Sequence, residues 1–235
     1  MDIESFFDLL DAKTRDGWKR IRGGRFWKHI TDEGLDRDLY VTVMTEVFHY
    51  TRHNAQNQAL AALNVLSDRL PLLQFCLHHA YSEAGHDLMV LEDLRSIGVD
   101  PETVLQSVPL PDTQAFIAYL YRLAAQKDPI ARVGYSYWAE GSYEHIADLI
   151  GAMRRDLRLH DDQMTFFVEH AVIDTAHFDQ VKKIVRQFCV NEEQQRDLLE
   201  ALTTTLHLQG NMIEGAFDAY LQSRDSGRVR EREFA

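Results

Sequence analysis

The sequence predicts an all-α fold, a bundle of about seven helices. Three observations carry that prediction. Apolar residues recur at three- and four-residue spacing along nearly the whole chain, and no stretch alternates convincingly as a strand. Gly and Pro are also few, 12 and 5, which argues against a turn-rich β fold. Helices are expected over residues 3–29 (with a break near Thr14–Gly17), 36–65, 70–96, 112–126, 130–156, 161–187 and 191–223. Their stops are "GG" at 23–24, "SD" at 67–68, "GVDPE" at 98–102, "PLPD" at 109–112 and "KDP" at 127–129. Pro101 and Pro129 stand near helix starts, where a missing N–H costs little. With no repeat or linker, residues 1–225 read as a single domain, followed by a charged, flexible tail at 226–235.

Composition narrows the function. The 235 residues are 45% hydrophobic and 26% charged, the mix of a soluble globular protein with a substantial core. A formal net charge of −12 disfavours nucleic acid and anionic membranes as partners. Cys76 and Cys189 are far apart, without a CxxC partner, and point to neither a disulfide framework nor a zinc knuckle. The acidic N-terminus lacks a signal-peptide pattern and no apolar run is long enough to span a bilayer, so a cytoplasmic location is expected.

Several helical seams change character in the middle. Residues 171–181, "AVIDTAHFDQV", lie on a line Phe167, His170, Asp174, His177, Val181, Ile184, apolar at its ends and metal-binding within. The seam of residues 70–96 reads Leu72, Phe75, His79, Glu83, His86, Val90, Leu94, Ile97. Glu140 interrupts a seam with Val133 and Tyr137, and Glu46 interrupts one with Leu39 and Val43. In chain order the set is Glu46, Glu83-x-x-His86, Glu140 and Asp174-x-x-His177. Four carboxylates and two histidines on four helices are the ligand inventory of a carboxylate-bridged dimetal centre. Carboxylates neutralise and bridge two divalent ions, and an imidazole supplies nitrogen to each. Iron or manganese suits that donor set.

Each member alone has a simpler reading: a lone Glu-x-x-His usually lies on a solvated face, and a single buried histidine is usually a hydrogen-bonded core residue. The repetition across four seams favours the metal. Glu144, one turn beyond Glu140, competes for its place, and His170 adds a third donor to the Asp174 face.

These residues resemble the heme-oxygenase-like diiron oxidases and oxygenases. That family's last ligand helix carries His-x-x-x-Asp-x-x-His, matched by His170, Asp174 and His177. Its alkene-forming fatty-acid decarboxylase subgroup carries Glu-x-x-His, matched by Glu83 and His86, with glutamates matched by Glu46 and Glu140. The run "GRFWKHITDEGLDRDLYVTVMTEVFHYTRH" is similar to the superfamily's opening helices, so the likeness spans about residues 25–187. His79 departs from relatives with a glutamate seven before the histidine of this helix, and stands as a supporting group or a substitute ligand.

The resemblance implies a heme-oxygenase-like bundle in which Glu46, Glu83, His86, Glu140, His170, Asp174 and His177 bind two irons, with O2 as co-substrate. The implied substrate is a small amphipathic acid, fatty-acid-like or amino-acid-like, changed by C–H abstraction, C–C cleavage or N-oxygenation. Arg52, Arg132 and Lys182 are candidates to meet its carboxylate, and Tyr81, Tyr137, Trp138 and Tyr143 to relay electrons. An external electron donor and a homodimer are the expected partners. The alternatives are a ferritin-like ferroxidase and a metal-free small-molecule or heme-binding module, with His29 as the heme-side candidate.

Overall fold

Asp2 opens the first helix by accepting a hydrogen bond from the Ser5 N–H at 3.0 Å, and a last turn carrying Lys19, Arg20 and Arg22 closes it at Gly23. The same physics recurs along the chain in the computed structural model. The model describes the backbone of residues 1–233, and the side chains of all of these except residues 67, 170–176 and 227–233. In order the helices are α1 (Ile3–Arg22), α2 (Arg25–Asp32), α3 (Arg37–Thr51), α4 (Asn54–Leu63), α5 (Leu70–Glu83) and α6 (His86–Ser96). After these come α7 (Pro101–Gln106), α8 (Pro111–Ala124), α9 (Arg132–Glu140), α10 (Ala147–Asp156), α11 (Thr165–Phe188) and α12 (Glu192–Glu233). No strand occurs among the described residues, and no helix there is long and apolar enough to cross a membrane.

The helices are more numerous than the expected seven or so: three of the long ones are cut, the 3–29 segment divides into α1 and α2, and α7 falls outside all the expected ranges. The helix expected at 36–65 breaks after Thr51, and that at 70–96 breaks at Ala84–Gly85. The helix expected at 130–156 breaks at 141–146, where a short 3-10 turn, Tyr143–His145, intervenes. Glu83 is therefore the last residue of α5 and His86 the first of α6, rather than two positions on one helix. Gly85 makes that corner with φ +100°, a conformation costly for any residue with a Cβ. The break expected near Thr14–Gly17 is absent: α1 runs through it and the chain turns at Gly23–Gly24 instead. α12 continues to Glu233 rather than ending near 223, and the side chains of most of the expected tail lie outside the described residues.

α12 is the spine, packed against α1, α2, α3, α8 and α9. A Cβ on Gly134 would lie 2.5 Å from the Leu198 carbonyl oxygen, so glycine lets α9 close onto α12. α11 lies across α9, α6 and α5. The apolar core formed by these contacts, with Leu39, Phe116, Leu120, Val185 and Leu202 fully buried, holds the ends of α5 and α9 beside α11.

Candidate metal centre

Those helix ends bring four donors together. His79 and Glu83 from α5, Glu140 from the end of α9 and His177 from α11 are all buried, with one ligand atom of each within 4.8 Å of the others. Glu140 sits between the imidazoles, 2.7 Å from His79 Nε2 through Oε1 and 3.4 Å from His177 Nδ1 through Oε2. The two rings lie 5.6 Å apart, and Phe75 packs on His79 at 5.3 Å. His86 joins from the start of α6, its Nδ1 3.5 Å from Glu83 Oε2. Asn54, at the start of α4, donates to the same Glu83 oxygen at 3.3 Å and accepts from Tyr135 Oη at 2.8 Å. The three helix breaks thus each end on a residue of this site: Asn54, the Glu83–His86 pair and Glu140.

The electrostatics are those of acids held by imidazoles. Burial pushes the Glu140 carboxyl up, but hydrogen bonds from His177 and His79 outweigh it and leave its pKa below the ordinary value. The hydrogen bond to Glu140 raises the His177 pKa against the opposing effect of burial. Burial likewise opposes the charged form of His86, yet Glu83 and then Glu140 raise it overall. His79 Nδ1 is buried and has no hydrogen-bond partner among the described residues.

The donor set fits a metal. Two carboxylates and two or three imidazoles form a mixed oxygen and nitrogen shell suited to iron, and a divalent ion would neutralise two buried negative charges. Metal ligation also requires the imidazoles to shed the protons that Glu83 and Glu140 now favour.

The predicted residues divide three ways. Glu83, His86, Glu140 and His177 come together, and Glu140 rather than Glu144 takes the place in the cluster. Glu144 is an exposed residue of the 3-10 turn, 3.3 Å from His145. Glu46 is buried apart from the four-donor cluster: its Oε2 accepts from the Leu110 N–H at 3.0 Å and from Thr113 Oγ1, at the N-terminus of α8. There it satisfies helix-end donors instead of joining the cluster. The side chains of His170 and Asp174 lie outside the described residues, although α11 carries both on the turns preceding His177. His79 is the member absent from the predicted ligand set, and its seam position was the signal.

Arg52 packs over Phe48, and Lys182 pairs with Asp179 at 2.8 Å. Arg132 is 1% exposed, donates to Asn57 Oδ1 at 2.7 Å and to Ser136 Oγ at 3.0 Å, and lies over the Tyr135 ring. Tyr81 is exposed, and Tyr137 Oη donates to Asp11. His29 pairs with Glu33 and packs on Phe217. Burial raises the Cys76 thiol to about 11 and Cys189 to about 12, so both are inert.

Glu83 and Glu140 open onto a cavity of about 120 Å³ whose walls include Val43, Val47, Phe166, Phe167 and Met212. Among the described residues no Lys, Arg, Cys or His lines it. Glu140 and Tyr143 also line an outer groove with Arg15, His145 and Lys182, so the 141–146 turn separates the cavity from solvent.

Residues 41–210 match the model of a family described as iron-containing redox enzymes. Among solved structures, the chain is similar to a domain of unknown function with a heme oxygenase-like fold from Shewanella denitrificans OS217. That pair is 36% identical over 95% of each chain, with a TM-score of 0.91. A TenA homolog from Pseudomonas syringae pv. tomato is 14% identical with a TM-score of 0.78, over 93% of this chain and 96% of that one. Heme oxygenase-1 from Synechocystis, solved with heme, is 13% identical with a TM-score of 0.73, over 98% and 99%. The last two share the fold alone. No curated protein sequence matches the chain.

Proposed function

The chain belongs to the iron-containing redox enzyme family, and on that premise we propose that it is a non-heme diiron, O2-using oxidoreductase acting on a small amphipathic acid. One observation carries the reading: a buried cluster of two carboxylates and two histidines opens onto an apolar cavity. His79, Glu83, His86, Glu140 and His177 would hold the metal, and His170 and Asp174 on the neighbouring turns of α11 would complete the set. When bound, iron supplies the reduction of O2 and the oxidising power.

The chain's own residues do the rest. Asn54, held in turn by Tyr135, fixes the Glu83 carboxylate. Glu140 aims its two oxygens at two imidazoles and stays ionised between them. The apolar wall excludes water from whatever binds beside the two acids. With no cationic side chain on that wall among the described residues, an acid's carboxylate finds positive charge only at the metal end.

A thiaminase-like hydrolysis would need a cysteine nucleophile at the cavity. Neither cysteine lines it.

Anaerobic ferrous loading followed by O2 tests the reading. O2 uptake in proportion to the iron loaded, ending after a single turnover without added reductant, is the expected result. Uptake renewed by each further addition of ferrous ion would instead identify a ferroxidase. Absence of uptake by a folded, iron-loaded chain would overturn the oxidase reading.

A further inference from the structure

The chain has three tryptophans, and all three line the cavity: Trp18 from α1, Trp27 from α2 and Trp138 from α9. Their exposures are 2%, 5% and 4%, and each indole nitrogen is buried without a hydrogen-bond partner among the described residues. On the same wall Thr51 Oγ1 and Gln209 Oε1 are buried in the same condition. Five elements therefore each bring to the cavity wall a residue with an unpaired buried polar atom, and three of these atoms are N–H donors. Buried donors without acceptors are rare because each forfeits its hydration, so their gathering on one surface points to a ligand that supplies the acceptors. Trp18 and Trp27 also bound an outer groove with Arg15, Lys19 and Arg22, so they close the cavity on the α1–α2 side. Glu83 and Glu140 open into it from α5 and α9.

Size sets a second limit. The cavity is about 120 Å³, and roughly 150 Å³ is what a benzene-sized ligand occupies in a comparable apolar cavity. A long acyl chain does not fit.

We propose that the ligand is a short acid whose body is about the size of a six-membered ring and bears a hydrogen-bond acceptor, a carbonyl or ether oxygen or a ring nitrogen, received by the indole N–H groups of Trp18, Trp27 and Trp138. This deepens the preceding reading and rests on it only for the placing of the carboxylate at the metal end.

Tryptophan emission reads the cavity without background, since no other tryptophan contributes. Iron-loaded chain under nitrogen is titrated with 5-oxohexanoate, with its apolar isostere 5-methylhexanoate and with dodecanoate, and iron content is measured on the same samples. The oxo acid should give a saturable change in emission and bind about tenfold tighter than the isostere, the worth of one hydrogen bond to an otherwise unpaired donor. Dodecanoate should not saturate. Trp18→Phe and Trp27→Phe should each shrink the preference several-fold; two variants are used so that misfolding of one leaves the other to decide. Equal affinity for oxo acid and isostere, tight binding of dodecanoate, or no response to any acid would overturn the proposal, whatever the iron content. A retained preference for the oxo acid in chain that takes up no iron would support the cavity assignment while removing the metal reading.

Discussion

Buried acids meet two different fates in this molecule. Asp93 on α6 is 0% exposed and accepts from the Thr165 N–H at 2.9 Å, Thr165 Oγ1 at 2.8 Å and the Phe166 N–H at 3.0 Å. It caps α11 much as Glu46 caps α8. At Asp93 and Glu46 the partners are helix-end N–H and hydroxyl groups, donors with no call for a metal. Glu140 is buried too, yet its partners are two imidazoles that are themselves metal ligands by type. Burial of a carboxylate therefore does not mark a metal site. What marks it is the kind of donor that the carboxylate faces.

The largest expected effect separates the two fates outright. Glu140→Gln should abolish tight iron binding while the helical circular dichroism stays unchanged, since the two imidazoles no longer share a carboxylate. Asp93→Ala should do the reverse. It loses the α11 cap and leaves buried N–H groups unpaired, costing about 2–3 kcal/mol and lowering Tm by roughly 4–12 °C, with iron stoichiometry kept. Glu46→Gln should resemble Asp93→Ala in kind, with a smaller loss of Tm. A drop in iron content there would move Glu46 back among the ligands.

Next in size is Asn54→Ala, which frees Glu83 from its hydrogen bond and should weaken iron binding by about 10–100-fold, read by competition with a chelator.

Proton competition gives a gentler, graded test. The metal-free pairs of protonated His86 and His177 with Glu83 and Glu140 contribute stability that is fully present below the ordinary imidazole pKa. That stability is lost as pH rises through their raised values. Iron binding runs the other way, because ligation needs neutral imidazole. Apparent ferrous affinity should rise with pH through the ordinary imidazole range and level off above the raised values. A pH-independent affinity over that span would contradict the assigned ligands. The smallest effect belongs to Gly85→Ala, which places a Cβ at φ +100° in open space and should cost about 1 kcal/mol.

Much of this was legible in the sequence, for reasons that also explain the failures. Helical periodicity exposed the all-α class and the polar middles of the seams, because a face is a local property. The partner across that face is not. Glu46 and Glu140 interrupt similar seams, and what distinguishes them is Leu110 and Thr113, more than sixty residues along from Glu46. Asp93 passed unnoticed between Val90 and Leu94 for the same reason. Gly85, between Glu83 and His86, was a visible signal for the corner that a continuous seam overrode. Gly17 misled in the opposite direction: it sits mid-helix because a Cβ there would meet Leu206, a close approach that only the folded α12 imposes. Nothing in "YTRHNA" announces the break after Thr51, since it contains neither glycine nor proline.

On the proposed function the imidazole-faced acids, and not the capping acids, hold iron. Anaerobic ferrous titration of the native chain, Glu140→Gln and Asp93→Ala, with Mössbauer spectra of the bound iron, tests it most directly. A tightly bound, magnetically coupled iron pair is expected after oxidation in the native chain and in Asp93→Ala, and none in Glu140→Gln. Folded native chain without tight iron, or iron retained undiminished by Glu140→Gln, would contradict it.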